Sequence, residues 1–146
     1  MARYISNSQN NNRMLKIELT FNDFAYNEPP PNIVWYGKNE DFFSFLRIIY
    51  KLAMKNNQIV ELSNSESIIL INFDKLVLQS SSIGNKLVSI SGNEVKTDLS
   101  CDCWKEILKM MLPVSLSKGF QYIDFDNDKF IEDANWIISS STELIE

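Results

Sequence analysis

Apolar and polar residues alternate from Met14 onward, with Leu15, Ile17 and Leu19 on one side and Lys16 and Glu18 on the other. A period of two predicts a half-buried strand. The segment Asn27-Glu28-Pro29-Pro30-Pro31 interrupts it, because consecutive prolines lack N–H donors and hold an extended connector. Ile33-Val34-Trp35-Tyr36 reads as a second short strand, stopped at Gly37. The period then changes. Phe42, Phe45, Leu46, Ile49 and Leu52-Ala53 recur three and four residues apart, which predicts a helix with one apolar stripe. Asn39 suits its N-cap, and Glu40 and Asp41 suit the positive end of the helix dipole. Lys51 and Lys55 suit the other end, and Asn56-Asn57 stops the helix.

Short strand segments follow at 58–62, 67–73, 75–80, 86–91 and 94–97, separated by turn residues at Asn64-Ser65, Asp74, Gly84-Asn85 and Gly92-Asn93. Connections this short favour hairpins, so the expectation here is an antiparallel meander. Ser100 caps a second helix that turns Trp104, Ile107, Leu108 and Met111 inward and carries Pro113 near its end. Two last strands, 120–125 and 135–140, flank an acidic loop. Helices are too few to cross over between all strands, so the class is α+β, with a mostly antiparallel sheet and two main helices. Residues 13–146 read as one domain and residues 1–12 as a polar, mobile leader.

Composition narrows the chemistry. The chain of 146 residues contains no histidine, which excludes Ser-His-Asp and Cys-His catalysis and any His-ligated metal. Its two cysteines, Cys101 and Cys103, are too few for a zinc or iron–sulfur site and read as core-filling residues at a helix start. The four glycines leave no phosphate-cradling loop. Trp35-Tyr36 and Trp104 sit on apolar-patterned elements and read as core rather than as base-stacking platforms. Lys51, Lys55, Lys105 and Lys109 read as ordinary solvated helix faces. The run from Asp124 to Asp133 looks at first like a calcium loop, but the positions that require glycine and glutamate hold Lys129 and Asn135. The expectation is a non-enzyme without metal or cofactor. No apolar run suits a signal peptide or a membrane span, and unpaired thiols favour a cytoplasmic address.

Charge is distributed unevenly. The net charge is −5, yet residues 1–119 carry +1 and residues 120–146 carry −6. Such an end repels nucleic acid, whose binding rests on Lys and Arg clusters, and attracts a basic protein. Five carboxylates fall within ten residues there: Asp124, Asp126, Asp128, Glu132 and Asp133. They form the candidate partner-binding surface, with Tyr122 as an aromatic anchor. Alternation along 120–125 groups Tyr122 with Asp124, and Ile123 with Phe125, so Tyr122 and Asp124 are expected to look outward.

The stretch from Ile33 through Gly37 and Leu46 to Leu52-Ala53 resembles the small immunity proteins of bacterial polymorphic-toxin and contact-dependent growth inhibition systems. There, too, a short apolar strand ends at glycine before an acidic-capped helix. The run Trp104…Leu112-Pro113-Val114…Gly119-Phe120-Gln121-Tyr122-Ile123-Asp124 is similar to their C-terminal half. What the resemblance implies is a cytoplasmic inhibitor that binds and neutralises a cognate toxin domain, with no need of nucleic acid, membrane or cofactor. Read from the residues alone, a carboxylate- and tyrosine-based enzyme or ligand-binding domain using Tyr122, Asp124 and Asp126 stays open beside it.

Overall fold

The computed structural model describes residues 15–21, 31–117, 119–123 and 135–140. Its strands are β1 (Leu15–Thr20), β2 (Asn32–Tyr36), β3 (Ile59–Ser63), β4 (Ile68–Ile71), β5 (Lys75–Ser80), β6 (Asn85–Ser91), β7 (Glu94–Leu99), β8 (Phe120–Ile123) and β9 (Asn135–Ser139). A 3-10 turn, Asn39–Phe42, leads into helix α1 (Phe43–Met54), and helix α2 spans Cys101–Leu116. The class is α+β.

The strands form two sheets, ordered β4-β1-β2-β9-β8 and β3-β5-β7-β6. The expected meander gives way to mixed sheets, with four antiparallel ladders against three parallel ones among the described residues. β4 causes the departure: it leaves β3 and pairs in parallel with β1 in the other sheet. β7 then inserts between β5 and β6, parallel to β5. Burial explains the move, since Leu70 on β4 joins the same apolar core as Leu15, Ile17 and Leu76.

Three tryptophans tie the layers together. Trp35 on β2 lies 4.8 Å from Trp136 on β9 and 4.5 Å from Phe45 on α1, ring centre to ring centre. Trp104 on α2 meets Trp136 edge to face at 5.9 Å. All three indoles are fully buried, and two of them reach the four-stranded sheet. Trp104 Nε1 donates to the Gln79 carbonyl at 2.9 Å, and Trp136 Nε1 to that of Leu87 at 3.3 Å. The Leu87 carbonyl is free to accept because β6 bulges there, with Leu87 and Val88 standing opposite Thr97 alone. Thr97 Oγ1 donates to the same carbonyl at 2.6 Å.

The two helices lie side by side with opposite ends matched. Asn39 Nδ2 donates to the Val114 carbonyl at 2.7 Å, and Cys101 Sγ lies 3.1 Å from Asn56 Oδ1. Asn39 therefore satisfies an orphan carbonyl at the end of α2 instead of capping its own helix. Ser100 does cap α2, its Oγ accepting from Cys103 N at 3.3 Å. Cys103 is buried as expected, whereas Cys101 is only partly covered. Tyr36 departs from the core reading for a simple reason: neighbouring residues on a strand face opposite ways, so Trp35 fills the core and Tyr36 does not. Its ring lies under Lys16 Nζ at 5.8 Å, and its hydroxyl donates to Glu18 Oε1 at 3.4 Å.

Candidate functional site

Of the residues expected to bind a partner, Tyr122 has its backbone in β8, paired with Ile137 of β9. Asp124, Asp126, Asp128, Glu132 and Asp133 lie outside the described residues, as does the expectation about which way Tyr122 and Asp124 face. β8 is the outermost strand of its sheet, so one side of its backbone has no ladder partner among the described residues. The acidic run begins directly after Ile123, the last residue of that strand.

An exposed apolar surface lies on α1. Phe43, Tyr50 and Met54 are 52%, 55% and 52% exposed on the side of the helix opposite the buried stripe Phe45, Ile49 and Leu52. Arg47 and Lys51 are exposed on the same helix, and Lys55 at its C-cap. An apolar stripe in water on a helix that already buries its other side is a feature of docking surfaces.

The described residues also enclose a cleft of about 380 Å³, at the seam between the two sheets. Its walls come from edge strands β3 (Glu61, Leu62, Ser63) and β4 (Ile68), from Leu15, and from Ser44, Phe45 and Ile48 on α1. Ser65 and Ser67, in the turn joining β3 to β4, complete the rim together with Asp41. That turn is well tied: Asn64 Oδ1 accepts from Leu70 N at 2.8 Å, Ser65 N donates to the Ile68 carbonyl at 2.9 Å, and Leu15 N donates to that of Ser67 at 2.9 Å.

Asp41 is the unusual group. The residue is 7% exposed. Its Oδ2 accepts from Lys38 N at 2.7 Å, which holds the start of the 3-10 turn. Its Oδ1 is buried with no hydrogen-bond partner among the described residues. Burial pushes the carboxyl above its ordinary range; the Lys38 N–H opposes that rise, and the neighbouring Glu40 charge adds to it. Glu61 differs, because Lys75 Nζ pairs with it at 2.8 Å. From the sequence alone, Asp41 is only an acid suited to a helix dipole. Its role depends on Gly37, where an added Cβ would lie 2.9 Å from Asp41 Oδ2, and on strands that pack beside it from distant parts of the chain. A glycine four residues before an aspartate was the one trace of this in the sequence.

No family model matches the chain, and no curated protein or solved structure proves similar to it.

Proposed function

We propose that this chain is an immunity-type inhibitor, which binds a cognate basic toxin domain and covers the surface that domain works with. The observation that carries the reading is the charge asymmetry: −6 over residues 120–146 against +1 over the remainder, with the acidic run following directly on an edge strand. A carboxylate-rich surface competes for the groups with which a basic domain holds its own target. It also steers encounter, raising association to about 10⁸–10⁹ M⁻¹s⁻¹ at low salt, from 10⁵–10⁶ for neutral pairs. An edge strand adds backbone hydrogen bonds if the partner offers a strand of its own. The resemblance to immunity proteins and the absence of histidine agree with a protein that acts by binding alone.

The test has two parts. Expression of the protein encoded beside this one should arrest growth, and co-expression of this chain should relieve the arrest; a harmless neighbour overturns the reading. With the pair in hand, replacing Asp124, Asp126 and Asp128 together by Asn keeps side-chain size and removes three charges. Association should slow and lose much of its salt dependence. Unchanged low-salt association would move the interface elsewhere, and the outer stripe of α1, with Phe43, Tyr50 and Met54, is then the surface to substitute.

A further inference from the structure

The cleft beside Asp41 has features that docking a large basic domain does not call on. Its volume of about 380 Å³ falls in the range of small-molecule sites. Leu15, Phe45, Ile48, Leu62 and Ile68 supply apolar wall, and hydroxyls come from Ser44, Ser63, Ser65 and Ser67. Both charged side chains in the lining are acidic, Asp41 and Glu61. Asp41 Oδ1, buried with no donor among the described residues, is destabilising, and a bound donor would remove that cost.

We propose that this cleft binds a small organic cation, a primary ammonium carried on an apolar body. The ammonium offers donors to Asp41 Oδ1 and to the serine hydroxyls, and the body lies along Phe45, Ile48 and Leu62. A neutral alcohol of the same shape supplies one donor and no charge, so it leaves Asp41 uncompensated. An anion meets the Asp41 carboxylate and is rejected. Glu61 is already neutralised by Lys75, which leaves Asp41 as the group that selects for positive charge. Asp41 Oδ1 is buried in this structure, so it reaches the ammonium by a turn of the soft terminal torsion, with no backbone movement. That turn carries Oδ2 with it, so the bond from Lys38 N gives way as the ammonium takes over. The charged groups around it are Lys38 and Glu40 on its own turn and Glu61 across the cleft. The inference does not rest on the immunity reading, since the cleft residues are separate from the acidic run.

The probes are phenethylammonium and its neutral counterpart 2-phenylethanol, titrated into the full-length protein and followed by amide chemical shifts. The expected result is saturable binding of the ammonium, at a Kd of about 1 mM or tighter. Shifts should concentrate at Ser44–Ile48 and Glu61–Ile68, and the alcohol should bind at least about tenfold more weakly, a difference of 1.4 kcal/mol. Asp41→Asn should erase that tenfold preference. Ser63→Phe, made at an exposed position of the rim, should fill the cleft and abolish binding of both probes while the fold stays intact. Equal affinity for the two probes, no saturable shift up to about 10 mM ammonium, or a preference that survives Asp41→Asn in a folded protein would each overturn the proposal.

Discussion

Phe45 belongs to two very different neighbourhoods. One side of the comparison is the tryptophan cluster, where Phe45 packs on Trp35; the other is the cleft, where the same residue supplies wall beside Asp41. Each holds a buried polar atom without a partner among the described residues, Trp35 Nε1 in the first and Asp41 Oδ1 in the second. The two are not equivalent. An indole N–H is neutral and sits inside a fully enclosed core, where losing one hydrogen bond is outweighed by the large apolar area of the ring. A carboxylate suffers more from burial, and this one stands next to open volume and an exposed rim. The first arrangement serves stability at a small loss. The second leaves interaction capacity unused at a place where a ligand can take it up.

The tryptophan cluster is most vulnerable at Trp136, which contacts both other tryptophans and hydrogen-bonds to the bulge in β6. Trp136→Ala should lower unfolding free energy by about 3–5 kcal/mol, measured by urea titration, because it opens a cavity and loosens the link between the sheets. A loss below about 1 kcal/mol would mean that the cluster does not join the layers. Thr97→Val is a finer probe of the same region: it removes the 2.6 Å bond to the Leu87 carbonyl and should cost about 1 kcal/mol. On the cleft side, Gly37→Ala forces the Asp41 carboxylate off its bond to Lys38 N. We expect about 1 kcal/mol of destabilisation, since the carboxylate must shift and Asp41 Cβ, 3.2 Å from the added methyl, must give as well, together with weaker phenethylammonium binding.

The two neighbourhoods also differ in how far the sequence discloses them. Periodicity locates Phe45, Ile49 and Leu52 on one stripe, alternation locates Leu15 and Ile17, and Ser100 is legible as a cap because local geometry decides it. The pairing of β4 with β1 is not legible in this way. Turn spacing says only that strands are short, and the choice of sheet depends on which edge completes the core around Leu70. The bulge at Leu87 and Val88 also breaks the alternation that would announce an inward residue. Asn39 shows how a local rule gives way to a tertiary contact: its amide serves the Val114 carbonyl, 75 residues away in the chain. The cleft inherits all of this, because its lining comes from β1, β3, β4, α1 and two turns.

The smallest expected effect is also the most specific to Asp41. Burial holds its carboxyl above the ordinary value of 3.8, so the folded protein keeps that proton to higher pH than the unfolded chain does. Between 3.8 and the raised value the unfolded state therefore binds fewer protons, and stability must fall as pH rises through that window. Above it the loss is complete and constant. Asp41→Asn keeps an oxygen for the Lys38 N–H but has no proton to lose, so its stability should stay flatter across the same window. Urea midpoints taken at close pH intervals would show the two curves drawing apart in favour of the variant as acid is neutralised. Parallel curves would mean that water reaches Asp41 freely, and Oδ1 would then be solvated rather than waiting for a donor. If phenethylammonium at saturation restores the wild-type stability lost over that window, and leaves the variant unchanged, the uncompensated charge and the ligand's charge are acting on the same oxygen.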